Sequence, residues 1–330
     1  MINNHKIKNA IWLSWHFSRR SKSFSTELAI PFIARQIEGG FLKRHLISLI
    51  WSIYVLLRRR PKIVFIQYSF LLLFGVISYK ILSRKPVLVV CDCHTKALRR
   101  NAHASISLIF NNIKMRMFNN VDLFLLANKK QRNDLSVQKP YLVIPDPIPT
   151  LLSQRVEKQT RKSIVFVCSF DTDEPINEIV SAAEALALNY SVYITGDSSK
   201  VVKDLKKDGL VIYTGFMKDS EYISLLSNAD CIISLTTEED CLQSTGYEAL
   251  SLNRPFVTTN TIALKEYFGD SIFYCENKVD SIVDVVNLTL QDKHATSRIS
   301  KFKRAKKVEV EILIFRLASL IVNRESQKTR

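Results

Sequence analysis

The segment from Thr236 to Leu250 holds the residues of this sequence whose types and spacing are best suited to chemistry. It reads TTEEDCLQSTGYEAL and follows an apolar run, residues 231–235, whose length and β-branching predict a buried strand. A helical pattern comes next and ends before Pro255. In an open α/β sheet, ligands bind at the carboxyl ends of strands, and the start of a helix offers free N–H groups to a phosphate. The segment is therefore a candidate site for a phosphorylated ligand.

Four consecutive residues in this predicted turn are small or polar enough to let phosphate oxygens approach: Gln243, Ser244, Thr245 and Gly246. Glu248 lies one helical turn further on and can accept hydrogen bonds from a ribose diol. The same pattern also suits a turn that only caps a helix, because acids near a helix start complement its dipole. The spacing by itself does not separate these two interpretations.

The continuation from Glu248 to Thr259 resembles the donor-nucleotide segment of retaining glycosyltransferases of the GT-B fold, family-4 type. In that family two acids bracket seven residues, and here the acids are Asp240 and Glu248. The resemblance implies that Glu248 holds the ribose, that Asp240 contacts the donor sugar and that the helix start holds the phosphates. The family usually has Glu in place of Asp240 and Gly in place of Asn253.

A second candidate catalytic residue is His94, in the segment Asp92-Cys93-His94-Thr95 after a predicted strand. This segment resembles the place where family-4 enzymes hold a histidine near the donor sugar, and Asp92 could orient it. A structural role is as common for an isolated histidine.

Arg19 and Arg20 are candidate ligands of an anionic acceptor or phosphate. They lie in a segment, residues 16–23, that is predicted to be the loop between a strand at 10–15 and a helix over 27–38 capped by Ser25 or Thr26. The segment also resembles the "HRRS" opening of a bacterial subgroup of family-4 transferases. The alternative is a solvated basic loop.

The turn from Ser169 to Pro175 departs from the family pattern, since it offers acids where many family-4 enzymes carry Gly and then a cation for the donor diphosphate. The diphosphate would then be met by helix N-termini, by Lys265, or by the two arginines of the first half. Ser169 ends a further predicted strand, residues 163–169, and Gly215 follows another, residues 210–213; both complete the expected donor site. Asp171 and Asp173 formally fit the DxD signature of metal-dependent GT-A enzymes, but their place in the chain does not, so neither a metal nor a cofactor is expected.

Strand and helix patterns alternate through both halves of the chain, which predicts parallel sheets. We expect two Rossmann-like domains, at 1–150 and 151–330, with a boundary near 146–162 and a last helix that crosses back to the first domain. The resemblance implies the GT-B arrangement, in which two such domains face one another across a deep cleft.

Charge is distributed unevenly between the halves. Residues 1–150 contain 24 Lys and Arg and 6 Asp and Glu, a balance of +18, whereas residues 151–330 have a balance of −2. The basic half is expected to face an anionic partner, such as phospholipid headgroups, a polyprenyl diphosphate or nucleic acid. Residues 41–57 give a basic amphipathic helix that can lie on a membrane surface or pack inside. The apolar run 64–79 is short for a membrane span and contains polar residues, so a strand and a helix are expected there.

Six scattered cysteines without metal-ligand spacing indicate reduced core residues, and no secretory signal is evident. The leading interpretation is a retaining glycosyltransferase that moves a sugar from a nucleotide-sugar to a saccharide or lipid-linked acceptor in surface polysaccharide biosynthesis. It is expected in the cytoplasm, peripheral on the inner face of the cytoplasmic membrane. The alternatives are a basic nucleic-acid-binding protein and a GT-B relative that does not transfer, such as a sugar-nucleotide epimerase or a degenerate partner subunit.

Overall fold

The computed structural model describes residues 7–83, 85–93, 105–129, 131–135, 137–152, 161–200 and 210–328. The chain forms two compact units. The first contains Met1–Pro147 together with Val308–Arg330, and the second contains Ile148–Lys307. The candidate residue His94 lies outside the described residues.

The first unit is built on a six-stranded parallel sheet with the strand order β2-β1-β3-β4-β5-β6. Its strands are β1 (Ala10–Ser14), β2 (Phe32–Ala34), β3 (Ile63–Gln67), β4 (Leu88–Cys93), β5 (Leu123–Leu126) and β6 (Tyr141–Val143). The described helices are α1 (Arg19–Glu27), α2 (Phe41–Arg59), α3 (Phe70–Leu82), α4 (Ser105–Phe118) and α5 (Gln131–Asp134). An apolar core lies on each face of this sheet, which is why its central strands read as nearly continuous apolar runs.

The segment after β1 differs from its prediction. The expected loop at 16–23 is largely helix α1, because the Ser18 hydroxyl accepts a hydrogen bond from the backbone N–H of Ser21 and caps the helix earlier than expected. The residues predicted as caps, Ser25 and Thr26, are in the last turn of α1, and the short strand β2 occupies part of the expected helix. The cap was not predicted because Ser-Arg-Arg-Ser has the composition of a solvated loop.

The second unit has a six-stranded parallel sheet of its own. Its strands are β7 (Ser163–Phe166), β8 (Ser191–Thr195), β9 (Val211–Gly215), β10 (Cys231–Ser234), β11 (Phe256–Thr259) and β12 (Phe273–Cys275). Its described helices are α6 (Ile176–Ala187), α7 (Asp219–Asn228), α8 (Ser244–Leu252), α9 (Ile262–Phe268) and α10 (Val279–Gln291). The prediction of parallel α/β architecture in both halves is confirmed.

The strand order of the second sheet, β12-β11-β10-β7-β8-β9, reverses direction between β7 and β10. The chain runs outward from β7 to β9 and then returns to place β10 on the other side of β7. In open α/β sheets the connections at such a reversal leave on opposite faces, and a crevice opens at the carboxyl ends of the two strands. The strand order of this sheet therefore predicts a ligand crevice at the carboxyl ends of β7 and β10.

The last helix, α11 (Ala295–Lys328), supplies side chains to the cores of both units. Ile299 is buried in the second unit, while a set of later residues is buried in the first unit against the side chains of its sheet: Val310, Ile314, Leu317, Ala318 and Ile321. Among the described helices, none is long and apolar enough to cross a membrane.

Candidate functional site

A cavity of about 320 Å³ lies at the carboxyl ends of β7 and β10, where the sheet of the second unit reverses. Its wall comes from the loop after β7, residues 167–174, and from residues 234–245, which lead from β10 into α8. Four of the predicted donor-site residues line it: Ser169, Gln243, Ser244 and Thr245. The chain thus brings together residues that are about 75 positions apart in sequence, as the parallel topology requires.

The start of α8 presents backbone donors at this cavity. Among the described residues, the N–H groups of Ser244 and Thr245 have no hydrogen-bond acceptor, whereas the N–H of Gly246 donates to the carbonyl oxygen of Gln243 at 3.2 Å. The first turn of a helix carries partial positive charge, and its unpaired N–H groups can bind an anion. Two donors and the helix dipole are therefore available to a phosphate here.

Gln243 braces the loop that leads into α8. Its Nε2 donates to the carbonyl oxygen of Leu235 at 2.9 Å, and its Oε1 lies 2.8 Å from the hydroxyl of Thr258 at the end of the neighbouring strand. Both ends of the amide are therefore used within the protein. This side chain therefore positions the loop, and its contact with the donor stays a prediction.

Gly246 permits close packing of α8 on the core of the second unit. A Cβ atom at this position would lie 2.6 Å from Cζ of Phe268 and 3.2 Å from Cε1 of Phe256. Any side chain would push the helix away from these rings. The glycine therefore sets the position of the α8 N-terminus. Packing thus explains why a glycine is needed at this position, for which the sequence predicted a contact with phosphate.

Glu248 is 4% exposed and accepts a hydrogen bond of 2.6 Å from the hydroxyl of Tyr222 on α7. The tyrosine orients the carboxylate, which is the group expected to hold the ribose. Nothing in the sequence singled out Tyr222, because the spacing of two residues 26 positions apart does not indicate such a contact. Asp240, the other acid of the motif, is 3% exposed in the loop before α8.

The loop after β7 binds a carboxylate of its own. Glu174 accepts hydrogen bonds from the backbone N–H groups of Ser169 and Asp171 at 3.0 and 3.1 Å, and from the thiol of Cys168 at 3.2 Å. Burial, followed by the charge of Glu174, raises the pKa of Cys168 well above its ordinary value, which keeps the thiol protonated as a donor. Sequence reasoning noted the acids of this turn but missed that one of them occupies its N–H groups.

The remaining candidate residues of the second unit lie away from the cavity wall. Gly215 ends β9 at the edge of the sheet with a positive φ of 69°. Lys265 is exposed on α9, with its Nζ 5.9 Å from the ring centroid of Tyr274. Neither residue is among those that line the cavity at the start of α8.

Arg20 of the first unit is not the accessible loop cation that the sequence predicted. Its side chain is buried, its Nε donates to both oxygens of Asp92 at 2.9 and 3.1 Å, and its Nη1 donates to Asp146 at 2.5 Å. Burial lowers the pKa of Arg20, but the two carboxylates raise it more, so the net pKa lies above the ordinary value. The prediction was wrong because Arg20 lies in helix α1, which directs its side chain toward the core and leaves that of its neighbour Arg19 exposed.

No group of three or more His, Cys, Asp or Glu side chains that could hold a metal ion occurs within the part of the chain that the structure describes. Five of the six cysteines are buried, as expected of core residues, and Cys241 is half-buried.

Comparisons with known proteins identify the second unit. Residues 148–306, which span nearly all of it, match the sequence model of the family described as glycosyl transferases group 1. A comparison with curated proteins found no match.

Solved structures match both units of the chain. A sucrose-phosphate synthase from Thermosynechococcus elongatus matches with a TM-score of 0.74 and 11% identity, over 97% of this chain and 100% of that one. HepE from Anabaena, solved in complex with UDP and glucose, matches with a TM-score of 0.68 and 12% identity, over 96% and 99% of the two chains. A glycosyltransferase from Rickettsia africae ESF-5 matches with a TM-score of 0.66 and 14% identity, over 97% and 99%. These matches establish the fold. The chain is therefore a glycosyltransferase of the GT-B fold, and its residues 148–306 belong to the glycosyl transferases group 1 family.

Proposed function

We propose that this glycosyltransferase transfers a sugar, with retention of anomeric configuration, from a nucleotide-sugar to a saccharide or polyprenyl-diphosphate-linked acceptor. One observation carries the proposal: the cavity after β7 and β10 is bordered by a helix start with two N–H groups that have no acceptor among the described residues. A nucleotide diphosphate is the leaving group of such a reaction. Its developing charge is what a fixed pair of N–H donors and a helix dipole stabilise.

The roles of the two acids follow from their surroundings. Glu248, held by Tyr222, would accept hydrogen bonds from the ribose hydroxyls, since a carboxylate offers several acceptor sites. Asp240 lies before the same helix and would contact the donor sugar. In retaining transfer the leaving group departs on the face from which the acceptor attacks, so the protein must hold both partners in line rather than supply a nucleophile.

The loop after β7 carries acids beside the cavity, and their negative charge would oppose binding of a diphosphate unless it is compensated. Because Glu174 is hydrogen-bonded to the turn, its charge is partly compensated by the N–H groups of Ser169 and Asp171. We propose that the reaction needs no metal ion and that α8 supplies most of the electrostatic stabilisation. HepE, a structural neighbour solved in complex with UDP-glucose, supports a nucleotide-sugar as the donor class.

The donor proposal is tested by thermal unfolding with a panel of nucleotide-sugars. A ligand at one hundred times its Kd would raise the Tm by about 5 to 10 °C, because it binds only the folded state. Glu248→Gln should abolish that increase, whereas Glu266→Gln, at an exposed position on α9, should leave it intact. An unchanged increase in the Glu248 variant would remove this carboxylate from the donor site.

The acceptor proposal is tested with the donor found in that panel. We propose surface polysaccharide biosynthesis at the inner face of the cytoplasmic membrane, so a polyprenyl-diphosphate-linked saccharide should accept the sugar in the presence of a chelator. The anomeric configuration of the product, measured by NMR, should equal that of the donor. An inverted product, or activity that a chelator removes, would contradict retention or metal independence respectively.

A further inference from the structure

Helix α2 exposes a continuous apolar stripe on the surface of the first unit. Leu42, Leu46, Ile50, Tyr54 and Leu57 are 82, 60, 60, 59 and 58% exposed. Their spacing of three or four positions places them on one face of the helix. At 1.5 Å per residue this α2 stripe is about 22 Å long.

The fold itself does not need the stripe. Helix α2 packs on the unit through other positions, since Ser48, Ser52, Val55 and Leu56 are its buried residues. Its contact with α3 is close because of Gly75, where a Cβ atom would lie 2.9 Å from Cδ1 of Leu49. The helix is therefore anchored by one face while its apolar stripe remains in water, an arrangement that is unfavourable unless something else covers it.

The segment of chain that carries the stripe has charges of a single sign, and two of its lysines, Lys62 and Lys80, pair with acids from elsewhere in the unit, Glu325 and Asp122. Between Glu38 and Asp92 the sequence contains nine Lys and Arg and no Asp or Glu. Exposed basic side chains lie at both ends of the stripe, with Lys43 at its start and Arg58, Arg59 and Arg60 at its end. Tyr54, Leu57, Arg58 and Arg60 also line an open hollow, so the aromatic, aliphatic and cationic groups lie together.

The end of the neighbouring helix, α3, also exposes apolar side chains. Ile81 and Leu82 at the end of α3 are 71 and 79% exposed, and Lys85 follows them as another exposed cation. An apolar centre with a basic margin matches a bilayer surface of anionic phospholipid, in which acyl chains receive the apolar side chains and headgroup phosphates meet the cations. A nucleic acid would satisfy the cations but would leave the leucines in water.

We propose that the α2 stripe and its basic margin bind the surface of an anionic phospholipid bilayer, with α2 lying in the plane of the interface. This binding is independent of the donor site, since it uses residues of the first unit only. It holds the enzyme at the surface where a lipid-linked acceptor would be found.

Sedimentation with lipid vesicles tests the proposal on the full chain. Wild-type protein should sediment with vesicles of phosphatidylcholine and phosphatidylglycerol and much less with phosphatidylcholine alone. The double variant Leu46→Glu/Ile50→Glu should lose at least about tenfold in vesicle affinity, because it removes two inserted side chains and adds like charge. The matched control is Ile262→Glu/Leu288→Glu, which makes the same change at positions 68 and 59% exposed in the second unit and should bind as wild type.

The basic margin is tested separately with Arg58→Ser/Arg59→Ser. Each arginine removed should lower affinity for the anionic vesicles about fivefold, and added salt should have the same effect on the wild type. Circular dichroism of every variant checks that the fold is unchanged.

Three results would overturn the proposal. Wild-type protein could ignore anionic vesicles, or the stripe variant could bind them as well as its control. Light scattering could instead show that the wild type is a dimer and the stripe variant a monomer with equal vesicle binding, in which case the stripe is an interface between two copies of the chain.

Discussion

At the scale of single residues, the helix start of the candidate site depends on side chains that do not themselves need to touch a ligand. Gln243 ties the loop to two strand ends and Gly246 lets the helix approach the core. Both were predicted from the sequence as ligand contacts, and that prediction stands untested. Their supporting contacts were not predicted, since spacing indicates which residues share a turn but not which way each one points. Glu248 was also singled out, but its partner Tyr222 could only be found in the structure.

Gln243→Ala should lower the free energy of unfolding by about 1 to 3 kcal/mol, because it leaves the carbonyl of Leu235 and the hydroxyl of Thr258 without this partner. Urea unfolding measures the change. Gln291→Ala, at the exposed end of α10, serves as the control and should change stability by less than about 0.5 kcal/mol. Equal stability of the two variants would contradict the bracing role.

Gly246→Ala should cost about 1 to 3 kcal/mol, because the new methyl group meets the ring of Phe268. Phe268→Leu in the same chain should return part of this loss by making room. A double-mutant cycle based on thermal or urea unfolding measures the coupling. Additive effects of the two substitutions would show that the glycine is not required for this contact.

At the scale of elements, an ion-paired group joins three segments of the first unit. Arg20 near the start of α1 binds Asp92 in β4 and Asp146 in the segment after β6. The sequence revealed the strands around this group, because buried parallel strands are apolar runs. It did not reveal the group itself, since the three residues are far apart in the chain and Arg20 was expected in a loop.

Arg20→Met should lower the free energy of unfolding by about 3 to 5 kcal/mol, because Asp92 would remain buried without its partner. Asp92→Asn in the same chain should recover part of the loss. Arg19→Met, at the exposed neighbouring position, should cost less than about 1 kcal/mol in the same unfolding experiment. A small effect of Arg20→Met would mean that water reaches the carboxylates.

The start of the last helix has a pH-dependent contact. The backbone N–H of His294 and then Nη1 of Arg298, which lie 2.7 Å from the carboxylate oxygens of Asp292, lower the pKa of that residue. A carboxylate whose pKa is lower in the folded state stabilises the fold above its unfolded pKa, and this contribution is lost as the pH falls through the folded value.

Asp292→Ala should therefore lower the Tm near neutral pH, and the difference from wild type should shrink as the pH is taken below the ordinary range for aspartate, about 4. Thermal unfolding across that range provides the test. Gln291→Ala, at the exposed end of α10, is the control and should show no such convergence, because it removes no titratable group. A difference that stays constant with pH would refute the role of the charge.

At the scale of the whole molecule, the fold class followed from the sequence because strand and helix patterns alternate throughout both halves. Periodicity predicted the strand before the candidate site at residues 231–235, and the structure has β10 at Cys231–Ser234. Periodicity failed near α1, where the capping serine precedes two arginines. The strand order could not be read from periodicity. The crevice between β7 and β10 depends on that order, and it became visible only in the structure.

The structure also shows where part of the basic charge of the first half lies on the surface. Composition indicated an anionic partner without saying where it binds. The α2 stripe is exposed and has basic residues at both of its ends, so the structure indicates which surface could bind such a partner. A count of charges could not indicate this.

We propose above all that a nucleotide-sugar binds with its diphosphate at the start of α8. A crystal structure with the donor identified in the thermal panel tests this directly. We predict diphosphate oxygens within about 3 Å of the N–H groups of Ser244 and Thr245, with the ribose on Glu248. A donor bound with its diphosphate away from this helix start would contradict the proposal that α8 binds the diphosphate.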